Sequence, residues 1–266
     1  MGLKEAPPLL EARGLALARG GRPLCRGLDL ALRPGELWAV LGPNGAGKSS
    51  LLLALAGLLR PQAGAVLLEG RPLGAWGGRA RARRVGLLAQ RSEDPFPATV
   101  LETALLGRFP HRGWWEPFGP ADREAARRAL AAVDLAGLEG REVGTLSGGE
   151  RRRLGLAVLL AQDPAVLLLD EPLAGLDLRH QAAVLGLCAE LAARGRCVLL
   201  VLHEPTAALR CAHRALLLHG DGRVRAGPAA ALLQEETLGE LYGHPLERVE
   251  GPSGPAFLPR LPCRGP

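Results

Sequence analysis

The chain of 266 residues contains little cysteine, methionine or aromatic side chain. Its cysteines are odd in number, and none forms a C-x-x-C pair, so their spacing indicates neither a disulfide framework nor a zinc ribbon. The six histidines show no metal-ligand spacing either. Cysteines used in this way are typical of a reduced, cytosolic protein, in which they act as small buried hydrophobes. They are Cys25, Cys188, Cys197, Cys211 and Cys263.

Long apolar runs are also missing. The longest, "LLLALAGLL" at 51–59, has about half of the roughly 18 residues that a membrane-spanning helix needs. The start, "MGLKEAPPLLEARG", has no basic segment followed by an apolar stretch, so we expect no signal peptide. Hydrophobic residues make up 47% of the chain, which predicts a globular protein with an ample core.

Lysine is almost absent, because only Lys4 and Lys48 occur among 33 basic residues. A lysine retained against this preference for arginine suggests chemistry that needs a compact ammonium group. The net charge of +6 is dispersed, with its densest clusters at 79–84 and 151–153 and no interleaved aromatics. We therefore expect these clusters to be solvated rather than to bind nucleic acid, with apposition to an anionic membrane as an intermediate alternative.

The hydrophobic pattern changes along the chain from strand-like to helical. The first ninety residues alternate in the manner of strands, and residues from about 92 to 162 are largely helical, as in a lobe inserted into a sheet domain. We expect a tail at 1–8, one domain over 9–243, and a Pro/Gly-rich segment at 244–266 without regular structure.

The stretch "GPNGAGKS" at 42–49 has the form G-x-x-x-x-G-K-S and follows the short apolar run "LWAVL" at 37–41, which predicts a buried strand. After it we expect a helix, "SSLLLALAGLL", closed by Arg60–Pro61. The glycines of 42–49 allow consecutive backbone N–H groups to converge on phosphate oxygens, and the helix N-terminus adds partial positive charge. Lys48 would reach the β- and γ-phosphates, and Ser49 would ligate Mg²⁺. The alternative is a merely flexible turn, which this context disfavours. The candidate nucleotide-binding residues here are Gly42, Pro43, Asn44, Gly45, Ala46, Gly47, Lys48, Ser49 and Ser50.

The stretch "VLLLDEP" at 166–172 delivers two adjacent carboxylates at the end of a buried strand. Burying such groups is costly unless a cation or a bound water compensates. We expect Asp170 to lie beside Mg²⁺ and Glu171 to act as general base for an attacking water. Solvated acids at a strand end are the alternative.

The stretch "GTLSGGERRR" at 144–153 begins a helix in an unusual way. Ser147 and Glu150 form a capping-box pattern, but the two residues between them are glycines, which are poor helix formers. A bare backbone in a first helical turn indicates that something else approaches it closely.

With these motifs, the chain resembles the ATP-binding subunit of ABC transporters over essentially its whole length. "LSGGE" at 146–150 matches the signature motif of that family, and "AGLD" at 174–177 matches its D-loop. Gln90 matches its Q-loop glutamine, and His203 matches its switch histidine. The resemblance implies an α/β fold: a P-loop NTPase core with a mixed sheet, an N-terminal antiparallel β-subdomain and an inserted helical subdomain.

The resemblance also implies ATP hydrolysis with ATP and Mg²⁺ at the interface of a head-to-tail dimer of this chain. Ser147, Gly148 and Gly149 would cap the γ-phosphate that the other copy holds. A side chain at either glycine would keep that phosphate away.

Lys48, Glu171, Gln90 and His203 form the catalytic set that the resemblance implies. Gln90 would sense Mg²⁺ and the water, and His203 would hydrogen-bond the γ-phosphate. A satisfied strand end is the alternative interpretation of Gln90 or His203. The implied metal ligands are Ser49, Gln90 and Asp170.

Two classes of ABC protein are considered: the motor subunit of a transporter, and a soluble ATPase that acts on DNA or ribosomes. Only about 100 positions separate Lys48 from Ser147, which leaves no room for the long coiled coil of the DNA-repair types. A single set of motifs disfavours the two-cassette ribosomal types. The resemblance thus implies transmembrane permease subunits as partners, a substrate-binding protein indirectly, and a peripheral location at the cytoplasmic face of the inner membrane.

Further stretches are similar to importers of iron–siderophore, haem and cobalamin. They include "DLRHQ" at 177–181, "RCAHRALLL" at 210–218 and "LGELYG" at 238–243. "GRPLGAW" at 70–76 leans slightly toward cobalamin. Haem and siderophore uptake stay open, as do an exporter or another importer class.

The sequence leaves two questions about aromatic contacts open: what stacks on adenine, and what the aromatic residues of the lobe contact. Members of the family usually place an aromatic residue before the second strand to stack on adenine, and Arg19 holds that position here. Its guanidinium either stacks on the base or is a solvated charge. Trp114, Trp115 and Phe118 either meet a permease or pack within the helical lobe, and we expect them to pack within the lobe.

Overall fold

The computed structural model describes residues 6–90, 97–113, 115–252 and 254–260. The strands are β1 (Leu10–Arg19), β2 (Arg22–Leu32), β3 (Leu37–Leu41), β4 (Ala63–Leu68), β5 (Arg71–Pro72), β6 (Val85–Leu88), β7 (Val166–Asp170), β8 (Cys197–Val201), β9 (Arg214–Leu218), β10 (Val224–Pro228), β11 (Leu246–Gly251) and β12 (Gly254–Pro259). The helices are α1 (Lys48–Leu55), α2 (Gly78–Ala82), α3 (Val100–Leu105), α4 (Pro120–Ala132), α5 (Gly148–Gln162), α6 (Leu178–Ala193), α7 (Pro205–Cys211), α8 (Ala229–Leu232) and α9 (Glu235–Tyr242). Short 3-10 turns cover Leu73–Ala75, Leu106–His111 and Val143–Thr145.

A six-stranded sheet with the order β10-β9-β3-β8-β7-β6 forms the centre of the fold. Its strands are parallel except β10, which runs antiparallel to β9 at one edge. The carboxyl ends of β3, β6, β7 and β8 therefore meet at one edge of the sheet. In parallel α/β sheets, this edge is where ligands bind.

Both faces of the central sheet are covered, which explains the uninterrupted apolar runs of its strands. In β3, Leu37, Ala39 and Leu41 face one hydrophobic core with the helices from α3 onward. Trp38 and Val40 face the second core, which α1 and the N-terminal sheet complete. The predicted buried strand "LWAVL" is thus confirmed, since all five residues are buried.

The N-terminal sheet has the order β2-β1-β4-β5 and is antiparallel throughout. In β1 and β2, buried positions recur between more exposed ones, and the even-numbered leucines of β2 (Leu24, Leu28, Leu30 and Leu32) are all buried. This sheet and the mixed central sheet confirm the fold that the resemblance implies.

The helical lobe follows β6 and precedes β7 in the chain. Helices α3, α4 and α5 pack against one another and share the first core. Helix α3 begins with a capping box, in which the Thr99 side chain accepts from the Glu102 amide and Glu102 accepts from the Thr99 amide. Among the described residues, no helix has both the length and the apolar character needed to cross a bilayer.

Two local predictions are wrong. Helix α1 ends at Leu55 rather than at Arg60–Pro61, because Gly57 adopts a left-handed conformation (φ 72°). The C-terminal region forms a hairpin of β11 and β12, where we expected no regular structure. A two-stranded ribbon tolerates proline because each strand has a free edge. Its Phe257 is buried, and the Phe257 amide donates to the Thr206 hydroxyl of α7 at 2.9 Å.

Candidate functional site

A cleft of about 380 Å³ opens at the carboxyl edge of the central sheet. The phosphate loop follows β3, Asp170 ends β7, and Gln90 and His203 each come two residues after β6 and β8. The topology thus gathers motifs that are more than 150 residues apart in the sequence. The lining residues are Arg19, Leu24, Asn44, Gly45, Ala46, Gly47, Lys48, Ser49, Ser50, Gln90, Glu171 and His203.

The phosphate loop holds the Lys48 ammonium in place. Lys48 Nζ donates to the carbonyl oxygens of Gly42 at 2.7 Å and Pro43 at 3.1 Å. Burial lowers the pKa of Lys48, and the carboxylates of Asp170 and Glu171 oppose that shift. The loop then enters α1 at Gly47, whose φ is 99° and where an added Cβ would lie 2.7 Å from the Cβ of Leu24.

Asp170 fits a site for a divalent cation. Its side chain is 4% exposed, and its Oδ1 has no hydrogen-bond partner among the described residues. Burial raises the pKa of Asp170, whereas a hydrogen bond with the Ser49 side chain works against this shift. A buried carboxylate oxygen without a partner, next to a hydroxyl, is the oxygen donor set that Mg²⁺ prefers.

Glu171 is held from both sides. Gln90 Nε2 donates to Glu171 Oε2 at 2.9 Å, and His203 Nε2 lies 2.7 Å from Glu171 Oε1. The backbone of Glu171 is left-handed, with φ 51°, a conformation that costs a non-glycine residue about 1–3 kcal/mol. Each carboxylate oxygen keeps a second lone pair that can accept a proton from water.

The N-terminus of α5 carries the predicted capping box. Ser147 N donates to Glu150 Oε2 at 2.7 Å, and Glu150 N donates to Ser147 Oγ at 3.2 Å. Among the described residues, a Cβ added to Gly148 would meet nothing within 4 Å, and one added to Gly149 would meet only the Gly175 oxygen and Leu176 Cδ2, at 3.4 and 3.5 Å. Packing against the described part of the chain therefore does not explain a glycine at 148.

The cleft brings together most of the residues that the sequence singled out. Arg19, at the end of β1, lies in its lining, as the match to the adenine position requires. Ser147, Gly148 and Gly149 are not among the residues that line it. Within this chain they therefore lie apart from the nucleotide-binding cleft.

The aromatic residues of the lobe differ in their exposure to solvent. Phe118 packs against the first core and meets Phe109 edge-on, with ring centroids 5.3 Å apart. Trp115, in contrast, is 92% exposed, so the expectation that it packs within the lobe is wrong. Trp114 lies outside the described residues.

Sequence reasoning missed Arg152 and Leu24 at the site. The cluster at 151–153 was expected to be solvated, but Arg152 donates to the backbone carbonyl oxygens of Gln90 and Glu171. Arg153 likewise donates to carbonyls of the lobe. Three consecutive helical arginines point in directions about 100° apart, and this spacing was the available signal that at least one faces inward.

Comparison with known proteins agrees with this geometry. The ABC transporter family model matches residues 25–174, more than half of the chain. Hemin import ATP-binding proteins are similar over nearly the full length: that of Myxococcus xanthus is 47% identical, covering 94% of this chain and 95% of its own. That of Streptomyces coelicolor is 42% identical, covering 97% and 91%.

Solved structures are similar as well. An inward-facing metal-chelate type ABC transporter aligns with a TM-score of 0.83 at 29% identity and covers 95% of this chain and 98% of its own. A dimeric ATP-binding cassette with bound ADP and phosphate aligns at 0.73 with 25% identity, covering 83% and 98%. The chain thus belongs to the ABC transporter family as an ATP-binding subunit, and it is an ATPase.

Proposed function

We propose that this chain is the motor subunit of an ABC importer for hemin, and that it binds ATP between two copies arranged head to tail. The observation that carries the motor function is the cleft that the phosphate loop and the Gln90–Glu171–His203 set line, with Asp170 hydrogen-bonded to Ser49 of that loop. The assignment of hemin as the cargo has a separate support, namely the name of relatives such as the one that is 47% identical. Cobalamin and ferric siderophores are accordingly the less favoured cargoes.

Nucleotide binding would begin with Lys48. Its ammonium would give up its hydrogen bonds to the carbonyl oxygens of Gly42 and Pro43 and donate to phosphate oxygens instead. The backbone amides of the loop would donate to phosphate oxygens as well. Because the ammonium is already buried and aimed, little conformational entropy is lost at this step. Ser49 and Asp170, with the amide oxygen of Gln90, would hold Mg²⁺. When bound, this ion neutralises charge on the β- and γ-phosphates.

Hydrolysis would depend on Glu171 as general base. Gln90 and His203 fix the orientation of its carboxylate, so that a lone pair can accept the proton of the attacking water. His203 would then be placed to hydrogen-bond the γ-phosphate. Ser147 and the bare amides of Gly148 and Gly149 would complete the other copy's site.

Transport would require membrane partners. We propose that the chain docks on permease subunits at the cytoplasmic face of the inner membrane and works with a substrate-binding protein. Trp115 supports such a docking surface, because a tryptophan exposed at 92% is unusual on a surface that stays in water. Leu106 and Phe109 are exposed in the same lobe.

Complementation of a Myxococcus xanthus strain that lacks its hemin import ATP-binding protein tests the proposal. We expect this chain, but not its Lys48→Ala variant, to restore growth on hemin as the sole iron source. Growth restored only in matching strains for cobalamin or ferric siderophore uptake would contradict the hemin assignment. ATP hydrolysis by the purified chain tests the motor function separately.

A further inference from the structure

Arg152 joins two loops of the ATP site through its guanidinium group. Its Nη1 donates to the carbonyl oxygens of Ala89 at 2.8 Å and Gln90 at 2.9 Å. Its Nη2 donates to the carbonyl oxygen of Glu171 at 2.6 Å and also to that of Asp170. One side chain therefore binds the backbone after β6 to the backbone at the end of β7.

Through these backbone contacts, Arg152 influences the positions of the Gln90 and Glu171 side chains. The Gln90 amide donates to the Glu171 carboxylate, and both residues have their backbone carbonyls fixed by Arg152. The guanidinium is half-buried. Burial lowers the pKa of Arg152, while Asp170 and Glu171 counteract this shift through their negative charge. A fixed cation next to the two adjacent carboxylates also reduces their mutual repulsion.

The helix that carries Arg152 is α5, which begins at Gly148 with Ser147 as its cap. Arg152 lies four residues from that first position, or about 6 Å along the axis at 1.5 Å per residue. A rigid helix transmits any displacement of its N-terminus over so short a distance. The N-terminus of α5 is the part that, under the proposed function, meets the ATP of the other copy.

We propose that Arg152 is a positioning residue that couples the two ATP sites of the dimer, an inference that rests on the proposed head-to-tail arrangement. Engagement of the α5 N-terminus by the neighbour's γ-phosphate fixes α5, and Arg152 then aligns Gln90 and Glu171 at the chain's own site. Each site consequently reaches its hydrolytic geometry only when the other site holds ATP.

Arg153 provides a matched control on the same helix. Its Nη1 donates to the carbonyl oxygens of Val133 at 2.8 Å and Asp134 at 2.7 Å, away from the ATP cleft. Arg153→Gln therefore removes a comparable brace of α5 without touching Gln90 or Glu171. If Arg152 were only a brace, the two glutamine variants would behave alike.

The experiment measures kcat, KM and the Hill coefficient for ATP in the full-length wild type, Arg152→Gln, Arg152→Lys and Arg153→Gln. Labelled-nucleotide titration and thermal unfolding accompany these rates. We expect Arg152→Gln to lower kcat by about tenfold or more, equivalent to about 1.4 kcal/mol, and to bring the Hill coefficient close to 1. Nucleotide affinity should stay within about twofold.

Arg152→Lys should be intermediate, because one ammonium cannot serve both loops with the fork of a guanidinium. If Arg152→Gln fails to fold, the Arg152→Lys variant alone tests the proposal. Arg153→Gln should lose thermal stability but keep the wild-type Hill coefficient. Wild-type cooperativity in the Arg152 variants, or an equal loss of it in Arg153→Gln, would overturn the coupling alone. A wild type that neither dimerises with ATP nor hydrolyses it cooperatively would instead overturn the proposed function, and this inference with it.

Discussion

Glu171 owes its place in the cleft to one backbone torsion and two side-chain contacts. Strand β7 ends at Asp170, and the left-handed φ of 51° at the next residue turns the Glu171 carboxylate toward Gln90 and His203. A conformation of this cost persists where the surroundings fix it, and such residues cluster at functional sites. The strain thus agrees with a catalytic role for Glu171.

Glu171→Gln should leave ATP binding nearly unchanged and lower turnover by a factor of roughly 10² to 10³, as the loss of a positioned catalytic group does. Phosphate release and nucleotide titration measure the two effects. Glu190→Gln, on the exposed face of α6, is the control and should keep the wild-type rate. Wild-type turnover in Glu171→Gln would remove Glu171 from its role as base.

Arg19→Ala should weaken ATP binding by about 1 kcal/mol if the guanidinium stacks on adenine, since base stacking contributes about 1–3 kcal/mol. Arg19→Tyr should match or strengthen binding. Arg13→Ala is the control, because Arg13 is exposed on the same strand and pairs with Glu11 at 2.8 Å. Unchanged affinity in Arg19→Ala would make Arg19 only a surface charge.

Single residues were predictable where a motif specifies their chemistry. The phosphate loop, the Asp170–Glu171 pair and the Ser147 cap follow from residue types at fixed spacing. Arg152 did not follow, because its acceptors are backbone carbonyls, which carry no sequence signal. The orientation of each arginine in the 151–153 cluster depends on how α5 packs, and packing is a long-range property.

At the scale of elements, the helical lobe depends on a buried carboxylate at the start of α4. Asp122 accepts from the Gly119 amide at 3.0 Å, from Arg112 Nη1 at 2.6 Å and from Arg108 Nε at 3.3 Å. Burial alone would raise the pKa of Asp122, but these three donors outweigh it, so the pKa lies below its ordinary value. The charged form therefore stabilises the folded lobe.

Asp122→Asn should lower the free energy of unfolding by about 1–3 kcal/mol at neutral pH, since it weakens hydrogen bonds to a charged group. Because the pKa is lowered on folding, this contribution is present above the ordinary carboxyl pKa of about 3.9 and is lost as the pH falls through the lower folded pKa. Denaturant unfolding at several pH values measures it. Glu124→Gln, whose ion pair with Arg128 is exposed on the same helix, should change stability little. A difference from wild type that stays constant across this pH range would contradict the account.

The elements themselves were predictable to different degrees. The central strands have continuous apolar runs, and β3 and β7 appear where these runs predict them. The hairpin of β11 and β12 was missed because its proline and glycine content favours irregular structure locally. The contacts that stabilise it come from α7, about fifty residues earlier, such as Thr206 with Phe257.

At the scale of the whole molecule, two surfaces await partners in the proposed assembly. Trp115→Ala should weaken co-purification of this chain with its permease subunits while leaving its own folding stability unchanged, because a side chain exposed at 92% has little contact within the chain to lose. Leu258→Ala, exposed at 52% on the C-terminal hairpin, is the control. Undiminished co-purification of Trp115→Ala would place the docking surface elsewhere.

The second surface is the N-terminus of α5, and the head-to-tail ATP dimer is the central claim. Size-exclusion chromatography of the Glu171→Gln protein, with and without ATP, tests it most directly when Gly148→Asp is added. Since a Cβ at Gly148 meets no atom of the described residues within 4 Å, the double variant should fold normally. Gly186→Asp on α6, where a Cβ is equally free, serves as the control. We predict an ATP-dependent dimer for Glu171→Gln alone and with Gly186→Asp, and a monomer with Gly148→Asp, whose carboxylate would face the phosphate of the other copy. An ATP-dependent dimer that persists with Gly148→Asp would contradict the account.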